Sequence, residues 1–252
     1  MDDDGARPAD RKADRVAQDL LRRIVAGELE VGSLLPKEAE LAEQHGVNRS
    51  VIREAIKLLE VHRLVRPVRR RGTEVLDPMA SMSPEVLRAM LAPSPGRVDR
   101  AVLADFLEVR AALDIQMSML AAERRTDEDL ARIDASLLAV RGALHDRPRY
   151  DRLSLRLTRD IARAAHNRIF EMMVWWHQTV ATDLSDIFRV VRPANEPHLQ
   201  GLSLLVELIR GREVEQVRTL VTAFHEWATP RMLAAAALST GEPLHDVMEG
   251  LR

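Results

Sequence analysis

Residues 34–75, LLPKEAELAEQHGVNRSVIREAIKLLEVHRLVRPVRRRGTEV, decide the fold. Their first half reads as a short helix starting at Pro36, where proline's fixed φ and missing N–H are tolerated in the first turn. Leu41 and Ala42 lie on its inner side. Gly46 supplies permissive backbone just past the helix end, Val47 plugs the corner, and Asn48 caps the next helix by accepting from an orphan N–H. That second helix runs from about Arg49 to Val61. Ile52, Ala55, Ile56 and Leu59 recur at three-to-four spacing on one face, so Arg49, Ser50 and Arg53 point elsewhere. Two helices, a tight glycine turn and basic or polar residues opening the second helix make a helix-turn-helix, whose second helix enters the major groove by its N-terminus.

Val65–Val68 and Thr73–Leu76 are short β-branched runs, and Arg69–Gly72 between them forms the tip of a hairpin. The motif is therefore winged. From Val47 to Val75 there are eight basic residues (Arg49, Arg53, Lys57, Arg63, Arg66, Arg69, Arg70, Arg71) and three acidic ones (Glu54, Glu60, Glu74), although the whole chain carries a formal charge of only −2. This local excess suits a polyphosphate partner, whose binding is driven by counterion release.

Outward from this stretch, the 252 residues leave room for two compact domains, and 46% hydrophobic content is ordinary for a globular protein. The absence of cysteine excludes disulfides and thiolate metal sites and fits a reducing cytoplasm. MDDDGARPAD is acidic with no apolar core, so it is neither a signal peptide nor an anchor; residues 1–10 are expected as a disordered tail. Val16, Leu20, Ile24 and Val25 give a helix over Asp14–Glu28, which completes a winged helix-turn-helix domain over 11–77. Prolines and small residues mark 78–96 as a linker with a short helix, Glu85–Leu91. Residues 97–240 read as a second domain. Its helices run over Val98–Arg125, from Thr126, over Tyr150–Ala165 and Arg168–Val190, from about Glu196 to Arg210, and over Glu213–Leu238, with 241–252 as a C-terminal tail. The fold class is mostly α: the winged motif with its small β-hairpin, then an antiparallel helical bundle. No apolar run is long enough to cross a bilayer.

The chain lacks GxSxG, HExxH, P-loop and GxGxxG patterns, and its E-x-x-H at Glu242–His245 contains Pro243 and has no second copy. Enzymatic catalysis therefore has no visible carrier, and a helical adaptor would leave the basic wing unexplained. In the helical half, Arg152, Arg156, Arg159 and Arg163 form a basic stripe beside Leu153, Leu157 and Ile161. Such a stripe can hold phosphates or be a solvated face. Met172, Met173, Trp175 and Trp176 can line a tunnel or form ordinary core. Arg110 lies among apolar neighbours, where a buried guanidinium requires an acidic partner or a ligand carboxylate.

The leading helix DRVAQDLLRRIVAGELEVGSLLP, the segment ELAEQHGVNRSVIREAIKLLE and the wing ending RRRGTEV together resemble the GntR family of bacterial transcription regulators. The resemblance implies operator contacts by Lys37, Asn48, Arg49, Ser50 and Arg53. Arg49 reads a guanine, Arg53 and Lys57 hold phosphates, and wing contacts come from Arg69, Arg70, Arg71, Gly72 and Thr73. Three positions depart from the family: Ala39 replaces a DNA-directed arginine, and Arg63 and Arg70 replace glycines. FLEVRAALDIQMSMLAAERRTDEDL, IARAAHNRIF and GREVEQVRTLVTAFHEW are similar to the effector-binding domain of the FadR subfamily. Many members of that subfamily hold a divalent metal through an Asp and three His; here the first three places fall on Ser154, Thr158 and Gly201, with only His225 near the fourth. No metal or other cofactor is therefore expected, although Asp151, His198 and His225 leave one alternative. The resemblance points to the fatty-acid-responsive branch, with an acyl-CoA effector touching Arg110, Arg156, Arg159, Trp176 and His225; a small carboxylate, with or without a metal, is the other effector class. The implied whole is a cytoplasmic homodimeric repressor on double-stranded DNA, at an inverted-repeat operator, with no membrane partner.

Overall fold

In the computed structural model, the structure describes residues 8–94, 97–182 and 194–239. The chain divides into two compact units, Met1–Asp99 and Arg100–Arg252. The expected C-terminal tail and the end of the helix expected to reach Val190 lie outside the described residues, as does most of the expected N-terminal tail.

The first unit contains α1 (Pro8–Val25), α2 (Glu38–His45), α3 (Arg49–Val61), β1 (Val65–Val68), β2 (Gly72–Val75), a single 3-10 turn (Pro78–Ala80) and α4 (Pro84–Leu91). Helix α1 begins within the stretch expected as tail. It buries Val16, Leu20 and Ile24, a three-to-four stripe that packs on α3. Helix α2 starts at Glu38 rather than Pro36, because Lys37 is still extended and its N–H donates to the Glu40 carboxylate at 3.3 Å. Gly46 closes it in the left-handed region, φ 61°. As expected, Asn48 caps α3: its Oδ1 accepts from the Val51 N–H at 3.0 Å. Val51, Ile52, Ala55, Ile56 and Leu59 form the buried face of α3.

The hairpin pairs Val65 with Val75 and Val68 with Gly72, so its second strand starts one residue earlier than expected. Val65 and Val75 reach the core. The N–H groups of Leu35 and Val75 donate to Thr73 O (2.8 Å) and Ser33 O (2.9 Å), which stitches the segment before α2 onto the outer edge of β2. The stretch expected as a linker is partly built into this unit, since Val86 and Ala89 of α4 join the same core as α1 and α3.

Arg63 and Arg70, the two residues standing at family glycine positions, both adopt left-handed backbone, φ 56° and 62°. A side chain there crowds the following carbonyl, a strain that glycine does not feel. Arg63→Gly is therefore expected to stabilise the unit by about 0.5–1 kcal/mol after the entropy of a freer unfolded chain is subtracted. A denaturant midpoint that falls in the variant would contradict this.

The second unit contains α5 (Arg100–Arg124), α6 (Asp127–Arg141), α7 (Arg147–Ala164), α8 (Arg168–Thr182), α9 (Asn195–Gly211) and α10 (Val214–Ser239). Helix α10 packs along α5 and α6 along α7, α8 lies on α7, and α9 touches α5, α6 and α10. Ile133, Val140, Leu157, Val206, Ile209 and Val217 are wholly buried between them.

At the start of α6 the Asp129 carboxylate has a side-chain exposure of 1%. It accepts from the Thr126 N–H and Oγ1–H (2.8 Å each) and lies 2.8 Å from His166 Nε2, with Arg132 alongside. His166 itself holds left-handed backbone, φ 49°. Burial pushes the Asp129 carboxyl up, but the Thr126 and His166 hydrogen bonds and the His166 charge outweigh it and hold the group below the usual carboxylate range. A folded pKa below the unfolded value adds stability above the unfolded pKa and loses it as pH falls through the folded one. The melting-temperature gap between wild type and Asp129→Asn is therefore expected to close as pH drops from about 6 towards about 3. A pH-independent gap would contradict this origin.

Candidate functional sites: nucleic-acid interface and ligand cavity

The buried face of α3 fixes what its other face presents. Arg49, Ser50, Arg53 and Lys57 are all exposed, Arg49 and Arg53 one turn apart. Asn48 is exposed too, but its Oδ1 is occupied by the cap and by the Ser50 hydroxyl at 2.8 Å; what it can offer outward is its Nδ2 donor. Ser50 is thus committed as a donor and retains its lone pairs. Arg53 Nε lies 2.8 Å from Glu38 Oε2 on α2, and Lys57 Nζ lies 3.0 Å from Glu54 Oε1. Arg49 has no ion-pair partner among the described residues.

Lys37, at the N-terminal edge of α2, is exposed. On the wing, Arg66 is paired across the strands to Glu74 at 2.8 Å, whereas Arg69, Arg70 and Arg71 are exposed at the tip with no ion-pair partner among the described residues. Gly72 has φ 131°, and Thr73 faces partly inward beside it. The first unit therefore presents a helix N-terminus and a hairpin tip, both rich in cations, with the nearby Glu38, Glu54 and Glu74 engaged by Arg53, Lys57 and Arg66. That arrangement suits a phosphate backbone and a groove.

The second unit encloses a cavity of about 420 Å³, within the range of small-molecule sites. Its wall is mostly apolar, with Leu113, Met117, Phe170, Met173, Phe224 and Trp227 among the lining residues. Arg110 lines it, and its Nε lies 3.4 Å from Asp114 Oδ2, one helical turn on. Asp114 is the acidic partner that Arg110 requires, and the i, i+4 spacing of the two on α5 was a usable signal in the sequence. His225 Nε2 approaches the same Asp114 oxygen at 3.2 Å. Burial pushes the Asp114 carboxyl up, but the His225 contact and the charges of Arg110, His225 and His177 hold it below the usual range. His177 is buried and lines the cavity. Its Nδ1 donates to Met173 O at 2.8 Å, and burial lowers its pKa.

Of the five residues expected at the effector, Arg110 lines the cavity and His225 braces Asp114. Trp176 packs instead against Phe106 and His177, with ring centroids 6.4 and 5.1 Å away. Arg156 is exposed and does not line the cavity. Arg159 stacks on Trp175, 4.2 Å from the ring centroid, and donates to Gln178 at 2.9 Å. Arg163 is paired with Glu171 at 3.0 Å, so of the basic stripe of α7 Arg152 lines the cavity, while Arg159 and Arg163 are spent on neighbours.

The residues do not fit the metal that the FadR resemblance brings to mind. Ser154 and Thr158 both line the cavity, but Thr158 Oγ1 donates back to Ser154 O at 3.1 Å. Gly201 is exposed, and its neighbour Leu202 lines the wall. The alternative trio is scattered among other partners: Asp151 with Arg147 (3.4 Å), His198 with the Tyr150 hydroxyl (2.9 Å) and His225 with Asp114. No group of three or more His, Cys, Asp or Glu side chains suited to a metal exists among the described residues.

Comparison with known proteins places each unit in a known family. Residues 12–75 match the profile of bacterial regulatory proteins of the gntR family, and residues 105–226 match the FCD domain. The chain is similar to the galactonate operon transcriptional repressor of Escherichia coli, 30% identical over 64% of this chain and 70% of that one. It is also similar to the transcriptional repressor NanR of Cronobacter sakazakii, 30% identical over 84% and 82%. Lar, which controls expression of the Listeria monocytogenes agr system, shares the fold with a TM-score of 0.57 at 20% identity, over 87% of this chain and 95% of that one. The chain belongs to the GntR family of DNA-binding bacterial transcription regulators, with an FCD domain as its helical effector half.

Proposed function

We propose that this chain is a cytoplasmic, homodimeric repressor that binds an inverted-repeat operator and leaves it when a small molecule occupies the FCD cavity. The observation that carries the DNA half is the exposed face of α3, with Arg49 unpaired among the described residues, next to a wing tip of three exposed arginines. Arg49 forms bidentate hydrogen bonds with a guanine, Lys37, Asn48, Ser50, Arg53 and Lys57 hold the adjacent backbone, and Arg69–Thr73 follow the neighbouring groove. A two-fold dimer places two such heads on half-sites about one helical turn apart, and ligand binding selects a dimer geometry in which that spacing no longer matches. The salt dependence of duplex binding tests the phosphate contacts. The log–log slope in wild type is expected to be steep, and Arg70→Ala to reduce it by about one. An unchanged slope would remove the wing from the interface.

For the effector, the engagement of Arg159 and Arg163 by neighbours and the position of Arg156 outside the cavity leave Arg152 of the α7 stripe, with Arg110, on the cavity wall, which favours a compact carboxylate held by these two over a long-chain acyl-CoA. Thermal shifts by citrate-like acids and by a long-chain acyl-CoA separate the two. A shift by the CoA ester alone would restore the fatty-acid reading.

A further inference from the structure

We propose that Glu38 is a positioning residue for DNA recognition: its carboxylate holds the Arg53 guanidinium in one orientation, so that the arginine meets the duplex as a preset fork. The inference rests on the DNA-binding reading above and goes beyond it, because Glu38 is an acidic residue on a surface that faces polyphosphate.

Glu38 is the first residue of α2, and Arg53 lies one turn after Arg49 on α3. Their 2.8 Å contact is the ion pair that joins the two helices of the motif among the described residues; Lys57–Glu54 stays within α3 and Arg66–Glu74 within the wing. The contact uses the Arg53 Nε–H. A guanidinium carries five donors in one plane, so a bond at Nε fixes the plane and leaves the four Nη hydrogens for another partner. With side-chain exposures of 63% for Arg53 and 37% for Glu38, the arginine is anchored at its base and open at its tip.

A lone carboxylate at this surface would only repel phosphates. A carboxylate that orders a flexible arginine before the DNA arrives removes part of the ordering cost of binding. The two roles predict opposite signs. If Glu38 only contributes charge, removing it strengthens binding to every duplex. If it positions Arg53, removing it weakens the specific complex, in which the fork is held in register, and not the nonspecific one.

The experiment titrates the full-length protein against its preferred duplex and a scrambled duplex of equal length. E38A is expected to bind the preferred duplex about three- to tenfold more weakly and the scrambled duplex at least as tightly as wild type. E38Q, whose amide oxygen still accepts from Nε–H, is expected to stay within about twofold of wild type on the preferred duplex. R53K, which keeps the charge and loses the fork, is expected to reproduce the E38A loss whatever E38A does to the stability of α2. Equal strengthening of both complexes by E38A, or full affinity in R53K, overturns the proposal. A wild type that does not distinguish the duplexes overturns the operator-binding reading itself, and this inference with it.

Discussion

Ile52→Ala is expected to lower the stability of the DNA-binding unit by about 2–5 kcal/mol, the usual cost of removing a buried isoleucine side chain and leaving a cavity. Ile52 is 0% exposed on α3, in the core where that helix meets α1 and α2. Wholly buried Leu20, Leu41 and Leu59 belong to the same core. Against a typical domain stability of about 5–15 kcal/mol, such a loss is a large fraction, and for a unit of this size it lowers the melting temperature by more than about 10 °C. The chain offers a way to see the effect locally. Its three tryptophans, Trp175, Trp176 and Trp227, and its one tyrosine, Tyr150, all lie in the second unit. Ile52→Ala should therefore lose helical circular dichroism and duplex binding at a temperature where tryptophan emission is still native. An unshifted melt would mean that the face of α3 containing Ile52 is not the one on which the unit is built.

Arg49→Ala is expected to weaken operator binding by about 1–3 kcal/mol and to relax the preference at one base pair. Arg49 is the first residue of α3, a turn that contains no acidic residue, so its positive charge sits at the positive end of the helix dipole. For the isolated fold that placement is mildly unfavourable. Its removal should leave stability equal or slightly higher while binding falls, and this difference in sign separates a DNA contact from a structural residue. Loss of binding with parallel loss of stability would assign Arg49 to the scaffold.

The recognition helix was legible because three signals coincide in a few residues: the apolar spacing of Ile52, Ala55, Ile56 and Leu59, the Asn48 cap and the Gly46 turn. The wing was legible from its valines, although the strand boundary slipped by one because Gly72 pairs with Val68 despite its weak strand preference. Helix α4 was read as a short helix within a linker because prolines and small residues flank it; nothing local says that Val86 and Ala89 fill a gap beside α1. The Glu38–Arg53 pair joins residues 15 positions apart across a turn, so its geometry exists only once both helices are packed. In the helical unit, apolar periodicity marks which face of each helix is inner but not which neighbour it meets. Hence Arg159 looked available for phosphate while it is stacked on Trp175, and Gly201 was aligned where Leu202 meets the cavity.

The claim that this face reads DNA sequence is tested most directly by selecting bound duplexes from a random pool at roughly physiological salt, where nonspecific phosphate binding is suppressed. The expected result is enrichment of a short inverted repeat whose half-sites are centred about one helical turn apart, lost at one guanine position in Arg49→Ala. A folded protein that enriches no sequence, or enriches the same sequences with and without Arg49, would contradict it.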